Sequence, residues 1–206
     1  MANNSWGVVI PVKRLVVAKS RLQVLGDPLR TELALAFAED VVRAALGCPQ
    51  VTAVLIVTDD PRAAQVLGEQ GAEVVADGPD AGHNAAVQHA ASLLNPTLGV
   101  VALSSDLPAL TAADLTDVLT QLPPGARGFV ADAEGTGTTL LAAGSGLLLR
   151  PAYGVSSRRE HLRSGAIELS ASARLRRDVD TPEDLAQALG LGVGPATTQA
   201  LRRHRP

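Results

Sequence analysis

The chain has 206 residues, of which 46% are hydrophobic but only 2% aromatic, and this predicts one domain with an aliphatic core. The net charge of −3 argues against general binding to nucleic acid or anionic lipid, and the single cysteine, Cys48, excludes an internal disulfide. No apolar run is long enough to span a membrane and the N-terminus has no signal-peptide pattern, so we expect a soluble, cytoplasmic protein.

The first half of the chain alternates strand-like apolar runs with helix-like segments. The predicted strands are WGVVIPV (6–12), VTAVLIVTDD (51–60), AEVVAD (72–77) and LGVVALSSDLPAL (98–110). The predicted helices lie within 26–49, 61–71, 82–94 and 111–122. We expect Asp27 to cap the first helix and Thr111 to form a capping box with Asp114. This alternation predicts βαβ units and a mostly parallel sheet covered on both faces.

The pattern changes after the turn at 123–125. RGFVADAEGTGTTLLAAG (127–144) predicts two strands joined by a glycine-threonine turn. SSRREHLRSGA (156–166) is basic and partly helical, and RLRRDVDTPEDLAQALGLG (174–192) predicts a strand end followed by a helix that begins at Thr181 and Pro182. The predicted fold class is α/β, with one open, mostly parallel sheet over 1–206 that becomes partly antiparallel from about residue 125.

Four cations follow the first predicted strand. PVKRLVVAKSRL (11–22) carries Lys13, Arg14, Lys19 and Arg21. Ligands of open parallel sheets bind beyond the carboxyl ends of the strands. Lys and Arg side chains in that place suit phosphate oxygens. The segment therefore predicts an anion site, with a solvated charged loop as the alternative.

Two acidic stretches suggest a metal site. Asp106 ends an apolar strand, where a carboxylate needs a cation or hydrogen-bond donors, although it could simply cap a turn. Asp178 and Asp180 lie two residues apart and share one side of an extended chain. Because Asp180 or Thr181 can cap the following helix, we prefer Asp178 as the second ligand. Mg²⁺ commonly takes one or two protein carboxylates together with substrate phosphates.

Two further stretches could bind an anion, but each has a plain structural explanation. GTGTT (135–139) places small residues and hydroxyls close together, as a tight hairpin turn also would. YGVSSRREHLRSG (153–165) combines serines with basic residues, as an exposed basic helix also would. His83 and His89 do not share a helical face, so we do not expect a metal pair there.

Several stretches together resemble the guanylyltransferases that make the deazaflavin coenzyme F-420. They are PVKRLVVAKSRL, SSDLPAL, VADAEGTGTTLL, YGVSSRREHLRSGAIEL and DVDTPEDLAQALGLGVGPAT. The resemblance extends over nearly the whole chain in the family's order. It implies a nucleotidyltransferase with the glycosyltransferase-A-like fold, which agrees with the sheet predicted from the residues.

The resemblance also implies a reaction. GTP and a small phosphorylated acid, phosphoenolpyruvate in bacterial members and 2-phospho-L-lactate in archaeal ones, give a guanylylated product and pyrophosphate. The product would pass to the downstream transferase of the pathway. A direct hand-off between the two enzymes is a further expectation.

Site residues follow from the same resemblance. Asp106 and Asp178 match magnesium ligands and, with Lys19, would form the catalytic group. Positions that contact phosphoenolpyruvate are matched by Thr138, Gly154 and Ser157. The GTP phosphates would lie at Lys13, Lys19 and Arg21, and the nucleoside near Gly82 and Asn84. Departures from the family pattern are His83, Ser105 and Val155, and the last leaves open whether Ser156 or Ser157 contacts the acceptor.

The repulsion between the two anionic substrates of such a reaction determines the mechanism that we expect. An anionic phosphate must approach the α-phosphorus of GTP, so Mg²⁺ and basic side chains must offset the repulsion, whereas no general base is needed. Alternatives are the same reaction on another three-carbon acid, sugar transfer or use of another nucleotide such as CTP, and a non-catalytic nucleotide-binding domain. DNA binding through the C-terminal GVGP is the weakest alternative.

Overall fold

A computed structural model describes residues 5–78 and 82–204, and its centre is one β-sheet. The strands within these residues are β1 (Trp6–Pro11), β2 (Val51–Val57), β3 (Glu73–Val75), β4 (Gly99–Leu103), β5 (Arg127–Ala131), β6 (Thr138–Ala143) and β7 (Ile167–Glu168). Their order in the sheet is β3-β2-β1-β4-β6-β5-β7. The chain is therefore α/β, with β1 and β4 in the middle of the sheet.

Helices connect and cover the strands. They are α1 (Asp27–Leu46), α2 (Pro61–Glu69), α3 (His83–Leu93), α4 (Ala112–Leu119), α5 (Ser157–Arg163), α6 (Ala173–Arg176), α7 (Pro182–Leu191) and α8 (Pro195–Arg203). A 3-10 helix, Ser20–Leu25, precedes α1. No helix within the described residues is both long and apolar enough to cross a membrane.

The strand directions explain where the functional residues meet. β1, β2, β3 and β4 are parallel, as the alternating pattern predicts. β6 runs antiparallel to both β4 and β5, which confirms the predicted hairpin in the second half. The carboxyl ends of β1, β2, β4 and β5 and the start of β6 thus lie at one edge of the sheet, where the predicted site residues follow.

Helix α1 is buried on two sides. Its Ala38 and Val42 belong to the apolar core that includes the sheet, whereas Leu33 and Phe37 pack in a second cluster with α7 and α8. Asp40 accepts hydrogen bonds from two backbone N–H groups at the start of α8, at 3.0 Å each. The C-terminal segment is therefore built into the core of the fold.

The structure corrects some details of the sequence prediction. Asp27 is already helical, and the N-cap of α1 is Gly26, so the predicted cap is wrong. The capping box at Thr111 is confirmed, and of the two possible caps of α7 the structure has Thr181. The element directly before α7 is α6 and not the predicted strand, and the short elements β7 and α6 were not predicted. These short elements carry too few residues for a periodic pattern.

Candidate functional site

A cleft of about 460 Å³ opens at the carboxyl edge of the sheet. It brings together five of the residues singled out in the sequence: Lys13, Lys19, Asp106, Gly154 and Asp180. The other lining residues come from the end of β1, the loop after it, α1, α3, and the segments that follow β4 and β6: Pro11, Val12, Leu15, Ala18, Ala34, His83, Ser104, Ser105 and Tyr153.

Arg30 of α1 holds the loop after β1 in place. The Arg30 guanidinium is buried and donates hydrogen bonds to the backbone carbonyls of Leu15 (3.3 Å), Val16 (3.0 Å) and Ala18. The backbone N–H of Leu15 donates to a carboxylate oxygen of Asp60 at 2.8 Å. A charged guanidinium bound to several carbonyls fixes this loop firmly, and with it the position of Lys19.

Lys19 joins two distant carboxylates. Its ammonium lies 2.7 Å from Asp180 Oδ1 and also donates to Asp106 Oδ2. We call Lys19, Asp106 and Asp180 the charged cluster. Burial alone would lower the pKa of the Lys19 ammonium, but the two carboxylates outweigh burial and raise it. Lys19 therefore stays charged, and in this conformation it binds carboxylates instead of extending toward a triphosphate.

Asp178 lies beside the charged cluster but does not line the cleft. Burial, then the negative charge of Asp106, and also that of Asp180 raise the pKa of the Asp178 carboxyl above its usual range. The backbone N–H of the intervening Val179 donates to the carbonyl of Asp106 at 3.0 Å, which fixes the two segments together. Three carboxyl groups thus lie close to one lysine.

The donor set at this place suits a hard cation. Asp106 Oδ1 is buried, and no hydrogen-bond donor reaches it among the described residues. A buried carboxylate oxygen without a donor is costly unless a cation compensates it. Across residues 5–78 and 82–204, no group of three or more His, Cys, Asp or Glu side chains is arranged to hold a metal ion. The Asp106 carboxylate nevertheless fits Mg²⁺, which takes one or two protein carboxylates and completes its shell with phosphate oxygens and water.

A second cleft of about 280 Å³ adjoins the first and shares Lys13 and His83 with it. It extends toward the ends of β2 and β3 and is also lined by Gly82, which precedes α3 with a φ of +89°. Only glycine adopts such a backbone conformation without strain. Lys13 is exposed between the two clefts and makes no ion pair with any described residue, so its charge faces the shared space.

Asn84 has a structural partner that the sequence did not indicate. Its side-chain amide donates to the carbonyl of Tyr153 at 3.0 Å and accepts from the N–H of Tyr153 at 2.7 Å. The Tyr153 ring also lies edge-on to His83, with 4.9 Å between ring centroids. Asn84 therefore connects the start of α3, where we expect the nucleoside, to the backbone immediately before Gly154.

Thr138 and Ser157 contact each other, and neither is among the residues that line the cleft with Gly154. The Ser157 hydroxyl donates to Thr138 Oγ1 at 3.0 Å, and Thr138 Oγ1 lies 2.9 Å from Nδ1 of His161. All three residues are buried, and we call them the hydroxyl cluster. Gly154 has a φ of +140°, and its carbonyl accepts a hydrogen bond from the N–H of Ser157. The three predicted acceptor residues are thus brought together.

Other predicted residues are less central. Arg21 is largely exposed and lies 3.9 Å from Asp180, at the rim of the site. Ser156 has a left-handed backbone conformation and precedes α5, whereas Ser157 is the buried partner of Thr138. Of the two serines, Ser157 is therefore the one placed in the hydroxyl cluster.

Three residues of the site were given no specific site role by the sequence. Asp180 was given a capping role, but the cap of α7 is Thr181, and Asp180 binds Lys19 instead. His161 was included in a basic stretch, yet it is fully buried. Its spacing of four from Ser157 places both on one helical face, a signal that could have identified it. For Arg30 the sequence offers no comparable signal.

Comparison with known proteins places this chain in a family. Residues 6–205 match the family described as "Guanylyl transferase CofC like". A phosphoenolpyruvate guanylyltransferase of Streptomyces scabiei is 51% identical over 208 residues, covering 96% of each chain. The phosphoenolpyruvate guanylyltransferase of Thermomonospora curvata is 49% identical over 207 residues, which cover 98% of this chain and 91% of that protein.

Two solved enzyme structures have folds similar to this one. A nucleotidyl transferase from Methanothermobacter thermautotrophicus superposes with a TM-score of 0.67, at 19% identity, over 98% of this chain and all of that one (100%). The 4-diphosphocytidyl-2C-methyl-D-erythritol synthase of Anaerococcus prevotii gives 0.64 at 11% identity, over 91% and 96% of the two chains. The predicted nucleotidyltransferase fold is confirmed.

Proposed function

The chain belongs to the CofC-like guanylyl transferase family, and on that premise we propose that it transfers GMP from GTP to phosphoenolpyruvate, with release of pyrophosphate, in coenzyme F-420 biosynthesis. The observation that carries the proposal is the pairing of a charged cluster and a hydroxyl cluster at one sheet edge. Relatives at about half sequence identity, which bear the name phosphoenolpyruvate guanylyltransferase, support the choice of acceptor.

Charge brings the two substrates together. Both GTP and the acceptor are anions, so the site must lower their repulsion before the acceptor phosphate can approach the α-phosphorus. Lys13 faces the space shared by the two clefts and would bind phosphate oxygens of GTP. Lys19 lies beside Asp106 and would stabilise charge on the transferred phosphoryl group. Arg21 at the rim would attract the triphosphate.

Asp106 and Asp178 would hold Mg²⁺, with Asp180 as a further oxygen donor at the same place. Mg²⁺ bound there would offset phosphate charge and stabilise the leaving pyrophosphate. Both aspartates act through their charge. Neither is needed as a general base, because the attacking phosphate oxygen of the acceptor is already ionised.

The hydroxyl cluster and Gly154 would orient the acceptor. Gly154 lines the cleft, and its lack of a side chain lets an anion approach the backbone. The Ser157 hydroxyl donates to Thr138, and Thr138 would supply a neutral hydrogen-bond donor to the acceptor. Gly82 and the segment that begins α3 would contact the nucleoside, with Asn84 holding that segment against Tyr153.

The proposal is tested by mass spectrometry of the products. Purified protein is incubated with Mg²⁺, one nucleotide (GTP or CTP) and one acid from a panel that includes phosphoenolpyruvate, 2-phospho-L-lactate and 3-phosphoglycerate. We expect a guanylylated product and pyrophosphate from GTP with phosphoenolpyruvate. A preference for CTP, or binding of GTP without any product, would contradict the proposal.

A further inference from the structure

His161 is a buried histidine whose two ring nitrogens both have partners. Its ring is fully buried between Phe129 and Tyr153, with centroid distances of 5.7 and 5.5 Å. Nε2 lies 3.1 Å from the backbone nitrogen of Ala152. A backbone N–H can only donate, so Nε2 must be the unprotonated nitrogen, and in a neutral ring the proton is on Nδ1.

The protonation of His161 decides what the two hydroxyl groups can do. With its proton on Nδ1, His161 donates to Thr138 Oγ1, and the Ser157 hydroxyl donates to the same oxygen. The lone pairs of Thr138 Oγ1 are then used, and its own hydrogen has no acceptor among the described residues. With the proton on Nε2 instead, Nδ1 would take that hydrogen and the cluster would have no donor left.

We propose that His161 is a positioning residue: its tautomer, fixed by the N–H of Ala152, makes the Thr138–Ser157 hydroxyl pair a donor toward an anionic oxygen of the acceptor. This inference rests on the proposed function, because it assumes that the acceptor lies at Gly154. Burial and the nearby charge of Arg127 lower the pKa of His161 to about 4, so the ring stays neutral at physiological pH.

Kinetics of a small set of variants test the role. His161→Phe keeps the ring volume but removes both nitrogens, so Thr138 Oγ1 loses the donor that fixes its orientation. We expect the KM for phosphoenolpyruvate to rise roughly 10-fold, as for a lost neutral hydrogen bond, with the KM for GTP unchanged. His161→Asn keeps a donor near Nδ1 and should restore most of that loss. His161→Asn also provides a test of the role if His161→Phe does not fold.

Thr139 offers a matched control on the adjacent position. Its hydroxyl is also buried but donates to the carbonyl of Leu175 at 2.8 Å, so Thr139→Val removes a similar bond without a free donor. We expect Thr138→Val, but not Thr139→Val, to raise the KM for the acceptor. Because His161 acts through Thr138, adding His161→Phe to Thr138→Val should change this KM little further. Equal rises in the KM for phosphoenolpyruvate and the KM for GTP would overturn the inference. So would additive effects of His161→Phe and Thr138→Val on the KM for phosphoenolpyruvate.

The tautomer can be observed without any turnover. The chain has four histidines, and ¹⁵N-histidine labelling with His161→Phe as the assignment control identifies the His161 signals. We expect Nδ1 to carry the proton. Protonated Nε2 would overturn the inference even if the enzyme is active. If the wild-type protein converts no acid in the panel, the proposed function fails, whereas the NMR spectrum still decides the tautomer.

Discussion

The charged cluster and the hydroxyl cluster lie at the same sheet edge, where the N–H of Ser104 after β4 bonds the carbonyl of Thr139 in β6. They differ in chemistry. Lys19 and its two carboxylates are linked by ion pairs, and the Asp180 side chain is 49% exposed. The hydroxyl cluster is neutral and at most 8% exposed. The comparison indicates a division of labour, in which charge attracts the phosphates and neutral donors orient the acceptor without adding another cation.

The largest loss of activity is expected from a substitution of Asp106, which belongs to the charged cluster. We expect Asp106→Asn to lower kcat/KM by roughly 10³-fold or more, because the change removes the charge that would hold Mg²⁺ while keeping the side-chain shape. The rate of pyrophosphate release measures the effect. Asp117→Asn, at an exposed position on α4, is the matched control and should retain full activity. Substantial activity of Asp106→Asn would contradict a metal role.

Lys19→Met and Lys13→Met together distinguish the roles of the two lysines of the site. Loss of the ammonium between Asp106 and Asp180 should lower kcat by roughly 10²-fold, the usual cost of removing one preorganised electrostatic contact. Lys13→Met should mainly raise the KM for GTP, because Lys13 faces the shared space without an ion pair among the described residues. Steady-state kinetics with both substrates varied distinguish these effects. The same kinetic change in both variants would show that Lys19 is only another phosphate-binding cation.

Gly154→Ala tests the acceptor side. At a φ of +140° a side chain strains the backbone by about 1–3 kcal/mol. We expect a lower melting temperature and roughly a tenfold higher KM for phosphoenolpyruvate, since the strain displaces the backbone that the acceptor approaches. Gly190→Ala on α7 is a suitable control because a methyl group there meets no atom within 4 Å. An unchanged acceptor KM with a reduced melting temperature would place the acceptor elsewhere.

The last expected effect is on the pH dependence of stability and leaves activity at neutral pH unchanged. His161 has its pKa lowered from 6.5 to about 4 in the folded protein, so between these values the unfolded chain binds the extra proton. The contribution of His161 is therefore present above pH 6.5 and is lost as the pH falls toward 4, by up to roughly 3 kcal/mol. Urea unfolding at several pH values should show this loss in the wild type and not in His161→Phe. Parallel curves for the two proteins would contradict a buried neutral His161.

Local patterns predicted most of the fold, but the site depends on contacts between distant segments. Strand runs and capping residues identify the alternating elements because those signals lie within a few neighbouring residues. The bond between Lys19 and Asp180 joins segments 161 positions apart, and no local pattern encodes it. His161 was missed because the surrounding arginines suggest an exposed helix, although only one face of α5 is exposed.

The most direct test of the central claim is a ³¹P NMR time course of the wild-type protein with GTP, Mg²⁺ and phosphoenolpyruvate. The account predicts that the phosphoenolpyruvate signal is replaced by two coupled signals of a new phosphoanhydride, with an equal amount of pyrophosphate. Conversion of GTP without a coupled phosphoenolpyruvate signal, or no change of either substrate, would contradict the account.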